Sequence, residues 1–190
     1  MEILNIDDKA LIIRNFLPEN LLKKVRNFKY NNFVDSSNHG FTKGLYETRD
    51  KRTVEDLKVS SVLDTNLKIL VDPFFEDIKK FILEHPSLPC SEETSKTFSI
   101  TYYEYPKNSG LNWHDDYNHT LSFSIYIHED WDENWGGETL IDTGRGLPLA
   151  SIPYPNTLLC IKNNILHKVC AITSEDAVRK VLQCRYSLKG

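Results

Sequence analysis

The feature that most constrains this chain is a change in the period of its apolar residues near position 97. Ahead of that point two segments follow the 3.6-residue period of an amphipathic helix. In the first, Phe16-Leu17-Pro18-Glu19 leads into Leu21, Leu22, Val25 and Phe28 on one face, which predicts a helix with a proline in its first turn. In the second, about 61 to 84, the set Leu67, Leu70, Val71, Phe74, Phe75, Ile78, Phe81 and Ile82 predicts a helix laid on a sheet and kinked or broken at Pro73. A short alternating run, Ala10 to Arg14, precedes both. Past position 97 the pattern becomes short β-rich runs separated by turn residues, over 97–105, 120–128, 138–142, 157–161 and 178–188. Helical segments first and strands afterwards predict an α+β layout in which helices buttress one face of a β-sandwich or barrel. The stretch from Asn31 to Asp50 is rich in Asn, Ser, Gly and Asp, which predicts a long loop of the kind often used as a lid.

At 190 residues the chain is long enough for one well-buried core and short for two, so a single domain over 1–190 is expected, with its β core at about 97–188. No apolar run approaches the roughly 20 residues that a bilayer demands, so no membrane span is expected. The N-terminal residues carry no basic segment followed by an apolar stretch, and the expected location is cytoplasmic. Cys90, Cys160, Cys170 and Cys184 show no CxxC spacing, which favours reduced and mostly buried thiols. A formal charge of −4 lacks the basic excess of a nucleic-acid footprint and argues against such partners. Nothing in the sequence sets an oligomeric state.

Within the β-rich half, Trp113-His114-Asp115-Asp116 contains His-x-Asp. Side chains two apart on a strand leave the same face, so His114 and Asp116 are expected together and Asp115 opposite. One imidazole and one carboxylate make two-thirds of a facial metal site, and the third ligand must come from elsewhere. His167, 53 residues downstream in Asn163-Asn-Ile-Leu-His-Lys-Val, stands at the head of the final β segments. Two neutral nitrogens and one carboxylate suit Fe(II) and leave three adjacent positions, enough for a bidentate 2-oxoacid and O2.

The ordered landmarks from about 97 to 188 extend this motif. Tyr105-Pro106 stands nine residues before His114, followed by His114-x-Asp116, Ser124-Ile-Tyr-Ile127, Asp130-Trp-Asp132, Gly136-Gly-Glu-Thr139, His167-Lys-Val169 and Arg179. This half of the chain resembles the catalytic core of the prolyl-4-hydroxylase-type Fe(II)- and 2-oxoglutarate-dependent dioxygenases. The resemblance implies a double-stranded β-helix, a jelly-roll variant, with Fe(II) on His114, Asp116 and His167, 2-oxoglutarate and O2 as co-substrates, and ascorbate as a candidate reductant. It implies oxidative decarboxylation to succinate and CO2 with hydroxylation of a C–H bond. Relatives that halogenate carry a small residue where this chain keeps Asp116, which favours hydroxylation.

A 2-oxoacid that chelates iron through its keto-acid end still has a distal carboxylate, which the guanidinium fork of Arg matches with two parallel hydrogen bonds. Arg179, 12 residues after His167, fills that role, with Thr173-Ser-Glu-Asp176 supplying a turn longer than in compact relatives. Lys180 faces the other side. By the resemblance Tyr105 and Tyr126 flank the co-substrate, and Tyr126 shares strand parity with Ser122 and Ser124 on a polar face. Gly136-Gly137 reads as a turn requirement, with Thr139 just beyond it at the pocket border. His119 and His128 read as surface histidines, the run 128–135 as a solvated loop with two aromatic anchors, and Arg145 as a surface cation.

A substrate could be a prolyl or other residue of a protein or peptide, a free amino acid or a small metabolite, and family likeness does not set prolyl specificity. Two rival functions remain open. Arg179 and Arg185 stand six apart on one strand face, as in oxygenases that dealkylate nucleobases, but Val181 and Gln183 replace the Asn and Thr usual between them. A cupin-like, catalytically silent metal binder is the second, opposed by Arg179 and the intact triad.

Overall fold

The computed structural model describes residues 2–31, 33–35 and 58–188. The expected loop over 31–50 therefore lies mostly outside the described residues, apart from a two-residue strand, β3 (Val34–Asp35). Ahead of it, β1 (Glu2–Ile6) and β2 (Ala10–Arg14) form an antiparallel hairpin. They lead into α1 (Glu19–Asn27), which Pro18 precedes directly and which buries Leu21, Leu22 and Val25.

Residues 61–84 depart from the sequence reading. Instead of one helix, the chain forms β4 (Lys58–Asp64), a turn, β5 (Ile69–Leu70) and only then α2 (Phe74–Leu83). Leu67, Leu70 and Val71, which fitted the helical period, are exposed. The reason is local as well as tertiary. The Asp64 carboxylate accepts the N–H groups of Asn66 and Leu67, closing a turn, and Lys68 adopts φ 54°, outside any right-handed helix. β4 meanwhile pairs along β6 (Ser95–Tyr105). Pro73 marks the start of α2, where the Asp72 side chain accepts the Phe74 N–H.

After β6 come β7 (Leu111–His114), β8 (Leu121–Tyr126), β9 (Thr139–Ile141), β10 (Leu149–Ser151), β11 (Thr157–Lys162), β12 (His167–Val169) and β13 (Arg179–Leu188). Among the described residues they build two antiparallel sheets. The larger runs β1-β2-β11-β8-β13-β6-β4-β3, with β5 alongside β4, and the smaller runs β10-β9-β12-β7. From β6 onward the chain passes larger, smaller, larger, smaller, smaller, larger, smaller, larger, and this winding is a double-stranded β-helix, the jelly-roll expected. The simple order of helices first and strands later is corrected: β1 to β5 precede α2, and β2 and β4 extend the larger sheet on both sides.

The larger sheet separates two apolar clusters. On one face α1 and α2 pack Val25, Phe75, Ile78 and Ile82 against Phe98, Ile100, Phe123, Ile125, Leu182 and Cys184. On the other, Tyr103, Tyr105, Tyr126 and Val181 meet Leu111, Ile141 and Val169 of the smaller sheet. Helices thus buttress the β core, and the gap between the sheets is where the site lies. All four cysteines are free thiols, with Cys160 and Cys184 buried. Among the described residues no helix is long and apolar enough to cross a membrane.

Candidate metal centre

β7 and β12 are neighbours in the smaller sheet, in a register that sets His167 directly opposite His114. Their rings lie 4.3 Å apart between centroids. Asp116 joins them from just past the end of β7, in a turn closed by the His119 N–H to the Asp116 carbonyl, rather than on the strand itself as parity suggested. Its Oδ2 is 3.7 Å from His167 Nε2. One ligand atom from each of His114, Asp116 and His167 falls within 4.8 Å of the others, so the three could hold a metal ion.

Backbone carbonyls fix the tautomers. His114 Nδ1 is 2.7 Å from the carbonyl of Asn112 and His167 Nδ1 is 2.8 Å from that of Ile165, so each neutral ring donates through Nδ1 and keeps its lone pair on Nε2. Burial, then the nearby His114, holds the His167 pKa below its ordinary value. At Asp116 burial works to raise the pKa. The adjacent Ser122 hydroxyl and the positive charge of Arg185, then His167 and His114, outweigh it and leave the carboxyl below the usual range. Both shifts favour the protonation states a cation needs.

The same pocket contains Arg179, the first residue of β13 and only 1% exposed. Its guanidinium donates to the hydroxyls of Tyr126 at 3.3 Å and Thr139 at 3.2 Å. It lies 5.0 Å from the Tyr105 ring centre and 4.9 Å from that of Tyr126. Its Nε is buried with no partner, and no carboxylate pairs with it among the described residues. A buried cation held only by neutral groups is poised for an anionic ligand. The donor set and this orphaned nitrogen fit Fe(II) and a carboxylate-bearing co-substrate. Burial pushes the Tyr105 hydroxyl pKa upward, keeping it protonated.

Of the expected residues, His114, Asp116, His167, Arg179, Tyr105 and Thr139 line one pocket, and Tyr126 reaches Arg179 and Thr139 through its hydroxyl. Gly136 and Gly137 adopt φ 75° and 72°, and a Cβ on Gly136 would stand 2.4 Å from the Ala171 carbonyl. Two readings are corrected. His128 is buried, its Nε2 2.6 Å from the Pro153 carbonyl and its Nδ1 accepting the Lys180 N–H, because the loop after β8 folds under Trp131 rather than into solvent. His119 is half-buried beside Ser187. Trp131 and Trp135 are the two anchors of that loop, in edge contact at 5.6 Å, and Arg145 is exposed and ion-paired with Asp7. Sequence reasoning gave no site role to Tyr103, Ser122, Gln183 and Arg185, which line the pocket too. The sequence reading sets Arg185 and Gln183 on the strand face of Arg179, but only in weighing the nucleobase-dealkylating rival.

Residues 99–189 match the family model of the 2OG-Fe(II) oxygenase superfamily. No curated protein matches the sequence. Solved structures match in fold. A Pseudomonas putida prolyl-4-hydroxylase is 14% identical with a TM-score of 0.61, covering 96% of this chain and 94% of that one. An oxidoreductase of the 2OG-Fe(II) oxygenase family from Burkholderia pseudomallei is 14% identical with a TM-score of 0.67, covering 95% and 86%. A prolyl hydroxylase from Trichoplax adhaerens, in complex with a hypoxia inducible factor oxygen degradation domain peptide fragment, is 14% identical with a TM-score of 0.64, covering 95% and 84%.

Proposed function

We propose that the protein is an Fe(II)- and 2-oxoglutarate-dependent dioxygenase that hydroxylates a C–H bond of a prolyl or other amino-acid residue, or of a free amino acid, releasing succinate and CO2. The whole chain works as one domain. His114, Asp116 and His167 hold the metal, and Arg179 takes the distal carboxylate of 2-oxoglutarate. The observation that carries this reading is the burial of Arg179, 1% exposed and without an acidic partner among the described residues, in the same pocket as three metal-capable side chains. Removing a guanidinium from water is costly unless a counter-charge meets it, and a bound dicarboxylate supplies one.

Bound iron, with its co-substrate and O2, supplies the oxidising chemistry. The chain's own part is placement. The carbonyls of Asn112 and Ile165 lock the two imidazoles with Nε2 available, Tyr126 and Thr139 aim the guanidinium, and the Tyr105 ring covers it and excludes water. A peptide or protein substrate is supported by the Trichoplax neighbour, which is in complex with a peptide fragment. Ascorbate would serve as reductant.

Anaerobic addition of Fe(II) and 2-oxoglutarate is expected to give a visible charge-transfer band. It should vanish in Asp116→Ala and weaken in Arg179→Ala. A well-folded wild-type protein with no band would overturn the reading.

A further inference from the structure

We infer that the substrate carries a carboxylate on an aliphatic chain, as glutamate or aspartate does, and that the wall formed by Ser122, Gln183 and Arg185 receives it. This rests on the oxygenase reading above and deepens it. Gln183 and Arg185 follow Arg179 at alternate positions on β13, and cross-strand register sets them opposite Ser124 and Ser122 of β8. All four line the pocket that contains Asp116 and His167. The wall presents donors. The Ser122 hydroxyl is buried and lies against the Asp116 carboxylate, outside full hydrogen-bond geometry. The Gln183 side-chain oxygen already accepts from Ser124 Oγ at 2.7 Å, so what it chiefly offers a ligand is its NH2 group. Arg185 places one N–H on the Tyr103 hydroxyl at 3.3 Å and carries its charge beside Asp116. Leu111, Ile161 and Val169 supply an apolar lining elsewhere in the pocket, suited to methylene groups.

Charge points the same way. The formal charges among the lining residues are those of Asp116, Arg179 and Arg185, which sum to one positive with the histidines neutral. A divalent metal and a dianionic co-substrate cancel each other, so the loaded pocket keeps that surplus. A carboxylate neutralises it and accepts from the donor wall. A pyrrolidine ring offers only C–H groups, and would cover these donors without replacing the water they lose.

The test uses the full chain loaded with Mn(II) and N-oxalylglycine, which cannot turn over, and titrates it calorimetrically with blocked glutamate, aspartate and proline, and with Ala-Ala-X-Ala-Ala peptides bearing the same three residues at X. Acid-bearing probes are expected to bind at least about tenfold more tightly than prolyl ones, a step of about 1.4 kcal/mol. The single amino acids and the peptides tell whether the acid is taken free or within a chain. Arg185→Met should erase the preference, Arg185→Lys should keep part of it, and Gln183→Leu, which leaves the charge beside Asp116 in place, should reduce it severalfold. Equal or tighter binding of the prolyl probes, or no binding of any probe to a loaded protein, overturns the inference and leaves the oxygenase reading intact. Failure to take up Mn(II) and N-oxalylglycine at all overturns both.

Discussion

The two faces of β6, β8 and β13 are made by alternate residues of the same strands, yet one is apolar and the other sets polar and charged groups beside an apolar cluster. Toward the helices stand Phe98, Ile100, Phe123, Ile125, Leu182 and Cys184, all fully buried in an apolar cluster. Toward the smaller sheet the same strands carry Tyr103, Tyr105, Ser122, Ser124, Gln183 and two arginines. The first face is what a stable β-sandwich requires. The second leaves Arg179 Nε buried and unmatched, a feature that costs stability and persists where a ligand is to be bound. A period of two lets one set of strands hold the fold together and present a reactive interior, provided that neither face borrows residues from the other.

That separation can be broken from each side. Asp116→Ala should abolish the charge-transfer band outright while changing unfolding free energy by less than about 1 kcal/mol, because it removes a partly exposed group that no core cluster uses. Phe123→Ala should do the reverse. It opens a cavity under the helices and is expected to lower stability by about 3–5 kcal/mol in urea unfolding, while the remaining folded protein still shows the band. Loss of the band in folded Phe123→Ala, or a large stability loss in Asp116→Ala, would show that the faces are coupled.

The helix-side face was largely legible in the sequence. In the β-rich half the strands of six or more residues, β6, β8, β11 and β13, all fall where the pattern put them. β7, β10 and β12 are only three or four residues long, too short to show a period, and β7 was found only through its histidine. Residues 61–84 misled because an exposed turn, Thr65 to Lys68, happened to place Leu67 in phase with α2, while pairing of β4 with β6 overrode the helical pattern. The three metal-capable residues were legible from type and order, but their closeness depends on a His167–His114 register that no local signal encodes. His128 was misread because its partners, the Pro153 carbonyl and the Lys180 N–H, come from 25 and 52 residues away.

Two further substitutions sharpen the comparison at intermediate size. Arg179→Met trades a buried charge for an apolar side chain of similar length. It should weaken 2-oxoglutarate binding by about 100-fold, as expected for losing charge-assisted hydrogen bonds, yet leave thermal stability equal or higher. A matching fall in stability would mean that Arg179 belongs to the scaffold. His128 tests the rim between the faces. Burial chiefly holds its pKa down at about 4, against 6.5 when free, with the Arg179 and Arg26 charges acting in the same direction. Above 6.5 it is neutral in both states. Between 6.5 and about 4 the unfolded chain takes up a proton that the folded one refuses, so stability should fall as the pH falls through that window, by on the order of 3 kcal/mol in all. In His128→Gln this part of the slope should be missing; an unchanged slope assigns it to other groups.

The smallest expected effect asks whether the polar face can be turned into a second hydrocarbon face. Ser124 donates to the Gln183 side-chain oxygen at 2.7 Å across the β8–β13 register, so the two side chains satisfy each other inside the pocket. Ser124→Ala alone strands the Gln183 oxygen, and Gln183→Leu alone strands the serine hydroxyl, so each should cost about 1 kcal/mol in unfolding free energy. The double variant removes both needs at once and should cost less than the sum, with a coupling of about 0.5–1 kcal/mol in the cycle. Additive losses would mean that each side chain is held by something other than its partner. A double variant as stable as wild type, yet with weakened binding of acid-bearing probes, would show that the polar face is kept for the ligand and not for the fold.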